Sequence, residues 1–309
     1  EFQDVGIAGD GGRFLVIASV TGLSTVERDA VTSGIVETPF SQYLIDRNNE
    51  TSNLDGAPFH KRWAPKFYEV ISQGSYLYVA TRWDGLWIFR LENNGAINEV
   101  GRLLRPREFT ESVKILSDRM YLTHHVDGIE VLGLADPGNP QTLAILSDGF
   151  VDAWGVAPEA DGSVWVADGA GGVKLVRWNG TSLTHVTGET LVTSPGVVQD
   201  VAVIGNWVVG AVAGQGVAVY DKATATRVDT FPLEGVCLDL EPIDSQRAAV
   251  SCNDWVHVIE LDATGQPSIV ASTRLHRREQ FNSRFLPTYQ AYRLAWEGDV
   301  LYVAGWHYA

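Results

Sequence analysis

YLYVATRWDGLWIFRL, running from Tyr76 to Leu91, holds two apolar strands joined by a turn that ends in Gly85, and it decides the fold because it comes back. It returns as MYLTHHVDGIEVLGL from Met120, as VWVADGAGGVKLVRW from Val164 and as WVVGAVAGQGVAVYD from Trp207. Weaker copies read FLVIASVTGLSTVE from Phe14 and AAVSCNDWVHVIEL from Ala248, and a shortened one reads VLYVAGWHYA from Val300. The turn ends in Gly22, Gly85, Gly128, Gly172 or Gly216, as hairpin chemistry requires, since glycine supplies the positive φ of a tight connection.

Each hairpin is preceded by a further strand of shared pattern: FQDVGI, FYEVIS, FTESVKI, VDAWGV, VQDVAV, CLDLEP and YQAYRL. A fourth strand follows, as at Leu143 to Leu146 and Val228 to Phe231. Four strands recurring every 40 to 48 residues or so are the mark of propeller blades, and no long segment carries a 3.6-residue amphipathic period. A two-sheet sandwich is the competing all-β architecture, but it does not account for homologous units. The expectation is therefore one all-β domain over residues 1–309, a β-propeller of about seven four-stranded blades. Its blades fall at 1–40, 67–107, 108–149, 150–196, 197–235, 236–273 and, in part, 288–309, with insertions at 41–66 and 274–287. The last blade is expected to be incomplete, with another polypeptide completing it, because an open strand edge invites pairing.

The cores GLWIFRL, GIEVLGL, GVKLVRW and GVAVYD, each preceded by a YLYVA-like strand and an acidic strand before that, resemble the bacterial LVIVD-type propeller repeats. The resemblance spans nearly the whole chain and rests on structural glycines and core aliphatics. It implies a propeller fold and a secreted, periplasmic or cell-surface setting, and it implies no reaction. The Trp-Asp ending and Gly-His opening of WD40 repeats are missing.

Composition agrees with a packed globular protein: 309 residues, 45% hydrophobic, with ten Trp. No apolar run reaches the roughly 20 residues of a transmembrane helix. A net charge of -15 repels a phosphate backbone and excludes nucleic acid as a natural partner. No basic stretch followed by an apolar one opens the chain, which reads as a mature product starting on a strand at Phe2. Cys237 and Cys252 flank a hairpin turning near Asp244 and Ser245, so a cross-strand disulfide is open to them, as is a pair of reduced core thiols. Sequons at Asn49 and Asn179 are too short to weigh.

Three groups of residues are candidates for function. The innermost strands carry a recurring acid, at Asp4, Glu69, Glu111, Asp152, Asp200 and Asp239, with Ala291 breaking the series. Either these carboxylates cap backbone N–H groups of their own or a neighbouring blade, or they converge on a channel and hold Ca²⁺. The hairpin tips gather Arg82, Trp83, Asp84, His124, His125, Asp127, Asp168, Asn253, Asp254, Trp255, Trp306, His307 and Tyr308. Aromatic groups beside carboxylates and imidazoles suit a protein partner, a sugar or a metal held by His124 or His125 with His307. His124 and His125 are adjacent on a strand and point to opposite faces, so they do not share one ion. The third group is the basic insertion, where Arg274, His276, Arg277, Arg278 and Arg284 stand near Phe281 and Phe285 in the manner of a docking loop.

No G-x-S-x-G elbow, H-E-x-x-H, P-loop or zinc-type cysteine spacing is found. The reading is a non-enzymatic envelope or extracellular binding protein that uses its insertion-bearing face. The alternatives are a channel-metal hydrolase of lactonase type and a carbohydrate binder using Trp83, Trp255 and Trp306. Insertions and hairpin tips are expected at the same end of the blades.

Overall fold

A computed structural model describes residues 2–19, 22–28, 41–44, 67–81, 84–104, 109–186, 196–275 and 289–307. The chain divides into two compact units, Phe2–Ser147 and Asp148–Ala309. Both are built from β-propeller blades, and no α-helix occurs among the described residues.

The first unit holds three four-stranded antiparallel blades. Blade 1 contains β1 (Phe2–Ala8), β2 (Phe14–Ser19), β3 (Gly22–Glu27) and β4 (Ser41–Leu44). Blade 2 contains β5 (Phe67–Gln73), β6 (Tyr76–Thr81), β7 (Gly85–Leu91) and β8 (Ile97–Leu103). Blade 3 contains β9 (Val113–Leu116), β10 (Arg119–Thr123), β11 (Ile129–Gly133) and β12 (Gln141–Leu146). Strand order in every blade is sequence order, with consecutive strands paired antiparallel.

The second unit holds three more four-stranded blades. Blade 4 contains β13 (Gly155–Pro158), β14 (Ser163–Ala167), β15 (Val173–Trp178) and β16 (Leu183–His185). Blade 5 contains β17 (Val198–Ile204), β18 (Trp207–Val212), β19 (Gly216–Asp221) and β20 (Thr226–Phe231). Blade 6 contains β21 (Cys237–Pro242), β22 (Arg247–Cys252), β23 (Trp255–Leu261) and β24 (Pro267–Arg274). A two-stranded sheet follows, of β25 (Tyr289–Glu297) and β26 (Val300–His307).

The middle strands are mostly apolar because both of their faces are covered. In β6, Leu77 and Val79 join a core with Phe14, Leu23 and Trp87 toward blade 1, while Tyr78 and Ala80 join Val113, Met120 and Leu132 toward blade 3. Period-two alternation thus sends neighbouring residues into two different inter-blade cores. Corresponding cores lie between blades 4 and 5, between blades 5 and 6, and between blade 6 and β25–β26. The fourth strands are wet: β24 buries only Pro267, and β12 buries none of its residues.

Glycine at the hairpin turn behaves as expected. Gly216 has φ +94, and a Cβ there would lie 2.2 Å from the Phe231 carbonyl oxygen. Blade 6 lacks this glycine: Trp255 pairs with Cys252 instead, across a shorter turn whose first residue, Asn253, has φ 51.

One boundary differs from the sequence expectation. The fourth strand of blade 1 falls at Ser41–Leu44, within the stretch assigned to an insertion, because Leu44 pairs with Gly22 and Ser41 with Thr25. The polar composition of this short outer strand hid it.

Cys237 and Cys252 are direct cross-strand partners, both fully buried, and are joined by a disulfide. It spans 15 residues, a loop whose closure removes about 3 kcal/mol of unfolded-state entropy. Replacing both cysteines by Ala should lower unfolding free energy by about 3 kcal/mol in denaturant titration. An unchanged midpoint would show that the bridge contributes nothing to stability.

Candidate functional site

The recurring acid is placed by a defect in strand pairing. In β1 the register slips between Phe2, opposite Ser19, and Asp4, opposite Ala18. The same slip occurs between Phe67 and Glu69, Val198 and Asp200, and Cys237 and Asp239. Such a bulge re-aims a side chain out of the ladder. Here it aims the carboxylate at the inner strand of the next blade.

Asp4 Oδ2 accepts the Val70 N–H at 2.7 Å, and Glu69 Oε2 accepts the Val113 N–H at 2.9 Å. In the second unit, Asp200 Oδ2 accepts the Leu240 N–H at 3.0 Å, and Asp239 Oδ2 accepts the Leu294 N–H at 2.7 Å. Cations join two of these contacts: Lys114 Nζ lies 2.7 Å from Glu69, and the Arg293 guanidinium lies 2.8 Å from Asp239. All four acidic residues are buried. They therefore act as caps on backbone N–H groups of the neighbouring blade, one of the two expectations for this series.

Glu111 and Asp152 do not belong to the series, and Ala291 does not mark its break. Ser112, which precedes Val113, occupies the acid position of blade 3, and Gly155, paired with Ala167, occupies it in blade 4. In β25 the slip lies between Ala291 and Arg293, so Arg293 takes the position. Glu111 lies one residue before that position and Asp152 three before it. Glu111 instead binds His125 Nε2 at 2.7 Å, and Asp152 accepts the Trp154 indole N–H at 2.9 Å. Among the described residues, no group of three or more His, Cys, Asp or Glu side chains is gathered to hold a metal ion.

The hairpin tips are internally wired. His124 and His125 do diverge. His124 lies between Thr110 Oγ1 at 3.0 Å and Glu130 Oε2 at 3.2 Å, and Glu130 also takes Thr142 Oγ1 at 2.6 Å. His125, with φ 49, turns to Glu111 and packs on Phe109. Asp168 accepts the Val151 and Asp152 N–H groups, each at 2.8 Å, and pairs with Lys174. In blade 6, Arg274 binds Asp254 at 2.7 Å and lies over the Trp255 ring, which stacks on His257. Burial holds His257 below the ordinary histidine range, against an opposing pull from Glu234. Trp83, Arg277, Arg278, Phe281 and Tyr308 lie outside the described residues, and Trp306 and His307 are placed only as backbone in β26, opposite Gln290 and Tyr289.

At the other end of blades 4 and 5 lies a cleft of about 630 Å³, whose lining includes Glu159, Asp161, Trp165, Arg177, Trp207 and Lys222. Glu159 ties the two blades together: its Oε2 accepts the Trp165 indole N–H at 2.9 Å, and its Oε1 meets Lys222 Nζ at 2.7 Å. The Ser163 backbone N–H, then the Ser163 hydroxyl and Arg177, hold the Asp161 carboxyl below the usual aspartate range. None of these residues stands out in sequence, since the repeat pattern draws attention to the glycine-ended turns. The available signal was a tryptophan beginning or centring the second strand, at Trp165 and Trp207, next to a charged turn.

Compared with known proteins, the chain matches no family model, and the search of curated proteins returns no match.

The inter-blade caps make a direct prediction. Asp239→Ala strips the acceptor from a buried N–H and leaves the buried Arg293 without this partner, which should cost about 3 kcal/mol or more. Chemical denaturation measures it. A loss of under about 0.5 kcal/mol, the range of ordinary surface changes, would show that the cap is dispensable.

Proposed function

We propose that this chain is a non-enzymatic binding or scaffold protein of the cell envelope or exterior, holding a protein partner at the hairpin-tip end of its blades. The observation that carries this reading is where the long connections are rooted. Leu44, from which 45–66 departs, pairs with Gly22 at the tip of blade 1. Arg274, near which 276–288 departs, pairs with Trp255 at the tip of blade 6. Each unit thus sends a long connection out beside a hairpin turn, and binding residues concentrate on such loops over a rigid scaffold. The resemblance to LVIVD-type repeats favours the external setting, as does a disulfide.

The same reading includes seven blades, with β25–β26 as the inner half of the seventh. In blades 1–6 the second strand lies between two others, whereas among the described residues β26 pairs with β25 alone. Two further strands would complete the sheet as they do in blades 1–6.

The test is to purify the native complex, then replace 45–66 and 276–288, separately and together, by short Gly-Ser links. The expected result is a folded protein, by circular dichroism and thermal melting, that has lost its partner in native mass spectrometry. A partner retained after both replacements, or a wild-type protein that carries none, would overturn the reading.

A further inference from the structure

We infer that the cleft between blades 4 and 5 is a second binding site, and that its ligand is a neutral oligosaccharide. The site is independent of the hairpin tips. Its rim is made by the β13–β14, β17–β18 and β19–β20 turns with Ala263 of the β23–β24 turn, at the opposite end of the blades from the β14–β15 and β18–β19 tips, and Trp207 at its edge packs on the core between blades 5 and 6.

Three properties of the lining point to this chemistry. First, it is built and stiff. Glu159 fixes the Trp165 indole and the Lys222 ammonium at once, and Gly265, with φ +81, lies so close to Trp207 that a Cβ would sit 2.8 Å from its six-membered ring. The Trp207 plane is thereby set from one side. Second, it has hydrogen-bonding capacity left over. Among the described residues Arg177 uses one terminal nitrogen, for Ser163 and Asp161, while its other N–H groups, the Asn206 side-chain amide and the Trp207 indole N–H meet no protein partner. Third, it is close to electrically balanced, with Glu159, Asp161 and Asp221 against Arg177 and Lys222, and each cation faces a carboxylate.

These properties discriminate among ligand classes. A phosphate or sulfate would meet carboxylates beside both cations, and an apolar molecule would desolvate charged groups without replacing their hydrogen bonds. A sugar both donates and accepts at its hydroxyls and offers a C–H face to an indole. The volume of about 630 Å³ lies in the range of small-ligand sites.

The experiment is a glycan array carrying neutral, carboxylated and sulfated oligosaccharides, probed with the intact chain, with hits titrated calorimetrically. The expected result is saturable binding of neutral members. Trp207→Ala and Asn206→Ala should each weaken it about tenfold or more. Asn206 is exposed, so its variant stays interpretable should Trp207→Ala lower the melting temperature. Trp255→Ala at the tips, and the variants lacking 45–66 and 276–288, should bind as wild type, which separates this site from the partner surface. Binding of no neutral glycan, binding only of sulfated or carboxylated ones, or binding unmoved by both Trp207→Ala and Asn206→Ala would overturn the inference.

Discussion

A carboxylate in the inner strand of one blade, accepting a backbone N–H from the inner strand of the next, is the contact on which the stacking register depends. Hydrophobic burial drives blade against blade, but it has no direction, so apolar faces alone would tolerate sliding. An inner strand is also an edge strand, with N–H groups that its own sheet does not use. Asp4, Glu69, Asp200 and Asp239 satisfy those donors and find in them the partners that buried carboxylates require. Each bond is charge-assisted and buried, and therefore specific about position. Where Arg293 takes the place of the acid, the guanidinium faces back to Asp239, which then serves both a backbone donor and a charge.

With register fixed in this way, the two ends of the blades are free to differ. At one end the turns are short, contain residues with positive φ and are tied down by buried pairs such as His124–Glu130 and Asp168–Lys174. Long connections leave beside them. At the other end, blades 4 and 5 stand apart enough to leave a cleft, bridged by Glu159 and Lys222. The scaffold is thus shared, and the blades differ in their turns and in the gap between neighbouring blades.

The strands and their grouping were legible because a strand covered on both faces must be mostly apolar along its length, as Tyr76–Thr81 and Trp207–Val212 are. That Cys237 and Cys252 face each other was legible from a hairpin with equal arms about Asp244 and Ser245, while the choice between a disulfide and two reduced thiols was not. Ser41–Leu44 was not legible, since a strand of 4 residues is too short to show a pattern. Nor was the membership of the acid series. A bulge leaves no mark in composition, so Glu111, one residue before Ser112, and Asp152, three before Gly155, looked equivalent to Glu69 although Ser112 and Gly155 hold that place. The cleft was hidden for a different reason: its residues come from four turns and four strands, which only the stacking of blades brings together.

The recurring acids hold neighbouring blades by their backbone, and native-state hydrogen exchange of the Val70, Val113, Leu240 and Leu294 amides reads that contact out. All four should exchange only through large-scale opening, among the slowest amides of the protein, and equally with Ca²⁺ or with a chelator present. Fast exchange at these positions, or protection that appears only on adding a divalent cation, would contradict it.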